Sequence, residues 1–251
     1  MVDPTPMKSL KESFAVRSYE VDAFNELAVP ALWGYLQEAA GLSADALGFG
    51  VQRTLAAGFT WVLARQRLEI GRAARFGETV EVETWPNGID RLAAFREFVV
   101  RERGEVIARA TSTWFLLDTR SRRPVDPATA LESAFPRERG PAALALPGAK
   151  VPALEAPELE RPFAIRFADI DLNWHVNNVS YVQWLLEAVP KETWHEQRPS
   201  VVDAQYVAEC DWGGRVLTRA RATAPGEYLH QVVREADGRE IARGATAWVA
   251  R

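Results

Sequence analysis

The chain has 251 residues, of which 47% are hydrophobic, and a formal net charge of −4. That length allows one large domain or two small ones, and that apolar share excludes global disorder. The acidic balance gives no electrostatic footing for nucleic acid, which requires a basic surface, and Cys210, the single cysteine, excludes an intrachain disulfide. No apolar run reaches the ~20 residues of a membrane-spanning helix. The opening residues, Met1-Val-Asp-Pro-Thr-Pro6, show neither a signal-peptide core nor the Arg/Ser-rich character of a transit peptide. A soluble, cytoplasmic protein with a reduced thiol is the expectation.

In chain order, residues 1–12 read as a loose arm and 14–21 as a short strand. A helical apolar pattern spans 29–47, with Pro30 near its start, where a missing N–H is harmless, and Gly48 and Gly50 as stop signals. Residues 60–70 read as a strand, 78–85 alternates with period two, and Pro86-Asn87-Gly88 reads as a turn. Two long strands, 91–103 and 105–118, meet at Gly104 as a hairpin. Prolines at 136, 141, 147, 152, 157 and 162 preclude a regular helix or central strand. This stretch divides the chain into 1–135, a linker 136–161, and 162–251.

After the linker the order of the first part begins again. Phe14-Ala-Val-Arg17 matches Phe163-Ala-Ile-Arg166, Val21-Asp22 matches Ile170-Asp171, and Leu36-x-Glu38-Ala39 matches Leu185-x-Glu187-Ala188, all at an offset of 149. Glu69 then matches Glu209 at 140, and Ile107-Ala-Arg109 with Trp114 matches Ile241-Ala-Arg243 with Trp248 at 134. Each part is then one strand, one long helix and four strands. A single helix among antiparallel strands needs the sheet to wrap around it, which is the α+β layout of the hotdog fold. Two tandem hotdog repeats form a pseudo-dimer whose sheets join edge to edge.

The chemistry concentrates in Asp169 to Asn178, a polar loop with two carboxylates, three carboxamides and one imidazole. An apolar helix pattern follows at Val179, Val182, Leu185, Leu186 and Val189, until Pro190 stops it. The repeat separates shared residues from special ones. Asp171 has Asp22, Glu187 has Glu38 and Glu209 has Glu69, whereas Glu26 stands at the place of His175, Phe24 at that of Asn173 and Ile70 at that of Cys210. One equipped half and one silent half imply one active site per chain.

The run Asp169-Ile-Asp171-Leu-Asn173-Trp-His175-Val-Asn-Asn-Val-Ser-Tyr181, with Trp184-x-x-Glu187 and Tyr206-x-x-Glu209-Cys210, resembles the acyl-acyl-carrier-protein thioesterase family of plant and bacterial type. The first half is similar in Phe14-Ala-Val-Arg-Ser-Tyr19-Glu20, Leu36-Gln-Glu38 and Ala108-Arg-Ala-Thr-Ser-x-Trp114. The resemblance implies hydrolysis of a fatty acyl thioester on acyl carrier protein, with Asp171, Asn173, His175, Glu209 and Cys210 at the matching functional positions. The chain departs from the family in carrying Asp211 where a glycine usually follows the Glu-Cys pair, and its opening residues read as a form without the plant transit peptide.

Two mechanisms use these residues. In the favoured one Glu209 and His175 form the base system, Asn173 orients the thioester or donates to its oxyanion, and Asp171 fixes the loop. Backbone N–H groups at the start of the helix after Asn177 add a second donor. In the other, Cys210 is the nucleophile, His175 its base and Asn173 the orienting group. Period-two alternation puts Cys210 with Val202, Ala204, Tyr206 and Ala208, and Glu209 with Asp203 and Gln205, so the two cannot share a face unless a bulge intervenes.

His195 and His230 read as surface residues, and Trp33, Trp174 and Trp184 as candidates to line an acyl tunnel. Arg120-Ser-Arg-Arg123 is a basic turn suited to solvent or to an acidic carrier protein. No metal-ligand cluster or glycine-rich phosphate loop occurs, so no cofactor is expected. The competing functions are an acyl-CoA thioesterase and a non-enzymatic acyl-thioester binding module. A monomer or a homodimer fits equally.

Overall fold

The computed structural model describes residues 9–131, 135–148 and 150–251. They form β1 (Leu10–Ala15), α1 (Val29–Ala46), α2 (Val51–Ala56), β2 (Phe59–Ile70), β3 (Thr79–Asp90), β4 (Ala93–Glu102), β5 (Glu105–Asp118), β6 (Pro124–Val125) and α3 (Pro127–Ala130). After a stretch without regular structure come β7 (Leu159–Ala164), α4 (Asn178–Glu187), α5 (Lys191–Glu196), β8 (Gln197–Tyr206), β9 (Arg215–Ala224), β10 (Glu227–Arg234) and β11 (Glu240–Ala250). The chain divides into two compact units, one holding the residues up to Ala64 with Gly71–Ala145, the other Arg65–Ile70 with the residues from Leu146 on. Strand β2 is therefore split, and the proline-spaced stretch 136–161 is divided at Ala145.

In the first unit the strand order is β1-β3-β4-β5-β2, with β6 beside β5. Helix α1 lies against β1 and β3. Its buried residues Leu32, Trp33, Leu36, Ala39, Ala40 and Ser43 recur at three- and four-residue spacing, the stripe a core-facing helix requires. The tight turn at Arg103 and Gly104, both at positive φ, closes the β4–β5 hairpin as the sequence predicts.

In the second unit the order is β2-β8-β11-β10-β9-β7, with β2 paired to β8 from Arg65 opposite Gln205 to Glu69 opposite Val201. Helix α4 lies on β9, β10 and β11. Gly244 lets it approach, because a Cβ there would come within 2.9 Å of a Leu185 methyl. Both units are thus an antiparallel sheet around one principal helix, the α+β layout read from the repeat. The repeat is visible in side-chain bonds too. Trp114 donates to the hydroxyl of Ser112 at 2.8 Å, and Trp248 to that of Thr246 at 3.0 Å, at the offset of 134 that links their strands.

Several local expectations are corrected. The arm expected over 1–12 falls outside the described residues as far as residue 8, and Leu10 already starts β1. That strand ends at Ala15, because the Glu20 carboxylate accepts the Arg17 N–H and draws the chain into a turn. Pro86-Asn87-Gly88 is a bulge inside β3. There the Asn87 side chain donates to the buried Glu97 carboxylate and accepts from the Gly140 N–H. His230 is fully buried rather than at the surface, because β10 turns it toward the core. Its Nε2 meets the Thr246 hydroxyl at 2.8 Å, and burial pulls the imidazole down to about 3, so it stays neutral.

Two buried charges anchor the second unit. Arg65 on β2 forms a bidentate pair with Asp203 on β8, at 2.8 and 2.7 Å, and Arg65 also donates to the Gly148 carbonyl. The proline-spaced stretch is tied to the same strands, as the Val151 N–H donates to the Gln205 side chain. Asp203→Ala leaves the Arg65 guanidinium buried without its partner, and the expected loss is about 3–5 kcal/mol in urea denaturation.

Candidate active site

The loop before α4 is built by carboxylates accepting backbone N–H groups. After β7 the chain makes a 3-10 turn at Phe167–Asp169. Asp169 is buried; it accepts the Arg166 N–H at 2.7 Å and pairs with the Arg166 guanidinium at 2.8 Å. Burial raises this carboxyl, but the bonds from Arg166 outweigh it, so Asp169 sits below the usual range. Asp171 follows. Its carboxylate accepts the N–H of Asn173 at 2.8 Å and lies 3.4 Å from that of His175. The Asp171 N–H donates to the His175 carbonyl, and Ile170 bridges Val176. The loop is a five-residue hairpin closed from inside by one side chain.

The first repeat contains the same hairpin almost bond for bond. Asp22 accepts the N–H groups of Phe24 and Glu26, its own N–H donates to the Glu26 carbonyl, and Val21 bridges Leu27. Arg17 and Glu20 repeat the Arg166–Asp169 contacts. Asn25 at φ 61° corresponds to Trp174 at φ 62°. Asp22 does this work in a half without the histidine, so Asp171 is first of all a loop-forming residue. Asp169 and Arg166 were missed as site supports. The Arg-x-x-acid spacing, present in both halves at offset 149, is the signal that reveals them.

The matching of Glu209 with Glu69 is corrected. Val207 and Ala208 both donate to the Ile241 carbonyl, as Gly71 and Arg72 both donate to that of Ile107. Val176 donates to the Cys210 carbonyl, as Leu27 donates to that of Ala74. The offset here is 136, and Glu209 stands opposite Ala73, Cys210 opposite Ala74. The silent half therefore lacks both His175 and Glu209.

The doubled bond to Ile241 also ends β8 at Tyr206, so the period-two argument does not reach Glu209 or Cys210. Even so, Glu209 points outward and Cys210 is 1% exposed. His175 Nε2 lies 3.6 Å from Glu209 Oε2, with both side chains more than a third exposed. That separation suits an ion pair and leaves room for adjustment before a direct hydrogen bond. Burial pushes the Cys210 thiol up, away from the thiolate a nucleophile needs. The five sequence-picked residues are thus neighbours along one loop and one strand end. Imidazole and carboxylate face each other, Asn173 is exposed at the loop tip, Asp171 is turned into the backbone, and the thiol is buried.

The helix end gives less than expected. Asn177 caps α4 by accepting the Val179 N–H, its carbonyl accepts from Ser180, and its own N–H donates to the Asp169 carbonyl. Those three amides are satisfied inside the protein and do not serve an oxyanion. Beneath the loop, Tyr206 donates to the Asn178 carbonyl, and Tyr181 packs edge-on to Tyr206 and Trp184. Trp33 and Trp184 are core residues, whereas Trp174 is exposed at the loop tip, so it does not line an interior tunnel. Among the described residues no cluster of His, Cys, Asp and Glu suits a metal ion.

The two repeats define a tandem hotdog protein with a facing imidazole and carboxylate on one repeat only. The acyl-ACP thioesterase N-terminal domain profile matches residues 7–130, and the C-terminal domain profile matches 154–250. The chain is 30% identical to oleoyl-acyl carrier protein thioesterase 1 of Arabidopsis thaliana over 96% of this chain and 76% of that protein. It is 32% identical to the oleoyl-acyl carrier protein thioesterase of Coriandrum sativum over the same shares. The 12:0-ACP thioesterase of Umbellularia californica superposes with a TM-score of 0.86 at 26% identity, over 97% of this chain and 98% of that one. An acyl-ACP thioesterase of Bacteroides thetaiotaomicron has the same fold, with a TM-score of 0.86 at 24% identity over 96% of this chain and 98% of that one. The chain belongs to the acyl-ACP thioesterase family.

Trp174 holds a left-handed backbone that a bulky residue adopts at a cost of about 1–2 kcal/mol. Asparagine tolerates it, as Asn25 shows. Trp174→Asn is expected to raise the unfolding free energy by about 1 kcal/mol in a denaturant titration.

Proposed function

We propose that this chain hydrolyses fatty acyl thioesters carried on acyl carrier protein, releasing free fatty acid and holo-carrier protein and so terminating fatty acid synthesis. The observation that carries the reading is the facing pair of His175 and Glu209, 3.6 Å apart, on the one repeat whose hairpin has them. Its counterpart carries Glu26 and Ala73. A fold-only role for the pair would not require this difference, since the hairpin closes with the same backbone bonds in both halves.

In this reading a water beside the pair gives a proton to the imidazole–carboxylate system while its oxygen bonds to the thioester carbon. The Glu209 carboxylate stabilises the positive charge that the imidazole gains. The carbonyl oxygen becomes an oxyanion, and the Asn173 amide at the loop tip donates to it, worth roughly 3 kcal/mol in comparable holes. The C–S bond then breaks, and the proton passes to the departing thiolate. Asp171 keeps Asn173 and His175 in register. Cys210 supports the site as a small buried residue.

Purified protein is to be incubated with acyl thioesters of acyl carrier protein and of CoA at several chain lengths, following free thiol. Faster turnover on the carrier-bound series is expected. The reverse preference would make the chain an acyl-CoA thioesterase, and no thiol from any substrate would make it a binding module. His175→Ala and Glu209→Gln are expected to lower kcat by about 100-fold or more. Cys210→Ala is expected to keep near-normal turnover; its complete loss in a folded variant would move the nucleophile to the cysteine.

A further inference from the structure

Four large apolar side chains stand in solvent around the site loop: Leu172 at 100% exposure, Trp174 at 69%, Phe167 at 64% and Trp212 at 58%. Three of them form a cluster. The Phe167 ring stands edge-on to Trp174, with centroids 6.5 Å apart, and to Trp212, at 5.5 Å. The rings come from the 3-10 turn, the hairpin tip and the turn after Cys210, the segments that carry or flank the functional pair. Trp174 precedes His175 in the chain, and Trp212 lies three residues after Glu209.

The fold does not ask for these residues. In the first repeat Ser18, Ala23 and Asn25 stand at the places of Phe167, Leu172 and Trp174, with an exposed Phe76 at that of Trp212, and the same hairpin closes with the same bonds. The edge-on contact of Phe167 with Trp174 thus belongs to the repeat that has the imidazole and carboxylate. Trp174 is moreover kept at a φ that disfavours it. Residues held in strained backbone and exposed apolar clusters both collect where something binds.

Size and charge narrow the occupant. The exposed parts of the three rings amount to on the order of 400 Å², well below the ~800 Å² per partner of a lasting dimer. The rim also carries exposed Glu209 and Asp211, which repel a phosphate or an anionic surface. An uncharged segment with both apolar and amide groups fits, held half in solvent against ring faces and edges.

We propose that the Phe167–Trp174–Trp212 rim seats the pantetheine arm of the substrate, packing its amide and gem-dimethyl segments while the thioester lies at His175. This rests on the thioesterase reading above and names the part of the thiol side that the site recognises.

The test compares one acyl group on two thiols, pantetheine and 2-mercaptoethanol, in the wild type and in the double variant W174N/W212A. Asparagine at 174 keeps the hairpin, as Asn25 does, and circular dichroism checks the fold. The expected result is a KM for acyl-pantetheine raised about tenfold with kcat unchanged, and neither constant moved for the mercaptoethanol thioester. Equal changes on both thioesters, or none on either, would overturn the proposal. So would loss of co-sedimentation with phosphatidylcholine vesicles in the double variant at unchanged KM, which would make the rim a membrane contact. Tryptophan quenching by an S-alkyl pantetheine thioether separates the two readings. If the wild type hydrolyses neither thioester but is quenched, and the double variant is not, the hydrolysis claim fails and the seat stands; absence of quenching in the wild type removes the seat.

Discussion

The site depends on one carboxylate folding back on its own backbone. Asp171 accepts the N–H groups that follow it, and its N–H and the His175 carbonyl close the hairpin from the other side. An aspartate does this because its short side chain reaches amides two and four residues on without help from the rest of the fold. Rigid preorganisation then costs the loop little at the moment of reaction, and the chain can spend the intervening positions on other chemistry. Asp169, held by Arg166, fixes the base of the hairpin by accepting at the turn that enters it, and its carbonyl takes the N–H of the helix cap Asn177.

Because the same device occurs at Asp22, the two repeats act as an internal control on every inference about function. What both hairpins share is what the fold needs: an aspartate, an Arg-x-x-acid pair, a left-handed residue before the fifth position. What only one has is His175, Glu209 and the ring pair Phe167–Trp174. The strained tryptophan is the most telling of these. The loop's geometry admits asparagine at no cost, so a tryptophan there has to be supported by something outside folding. By contrast, the polar bonds Trp114–Ser112 and Trp248–Thr246 recur in both repeats and carry no hint of a reaction.

Much of this was legible in the residues. Helix α1 and the repeat show plainly because apolar spacing and fixed offsets are local properties of the chain. The features that were not legible share one physical cause, irregular hydrogen bonding at strand ends. Asn87 and Gly88 look like a turn because their types suit one, yet a buried carboxylate on the neighbouring strand, Glu97, and the backbone of Gly140 claim the Asn87 side chain and make a bulge. The doubled donation of Val207 and Ala208 to Ile241, matched by that of Gly71 and Arg72 to Ile107, sets the offset there at 136 rather than 140. A sequence offset cannot register that, so Glu209 was matched to Glu69 and looked shared. His230 and Trp174 failed in opposite directions, since hydropathy sends a histidine outward and a tryptophan inward, while register and backbone geometry decided otherwise.

The corrected offset bears on the choice between the two mechanisms. With Glu209 opposite Ala73, the carboxylate joins the histidine among the residues that distinguish the equipped repeat. Cys210 opposite Ala74 is a change from one small buried residue to another, which packing alone accommodates. The thiol is buried and pushed toward its neutral form, whereas imidazole and carboxylate are accessible to water and to each other. A thioester needs less activation than an amide, because a thiolate leaves readily. A base acting on water is then sufficient, and a covalent relay through a desolvated cysteine would have to overcome its burial before gaining anything from its nucleophilicity.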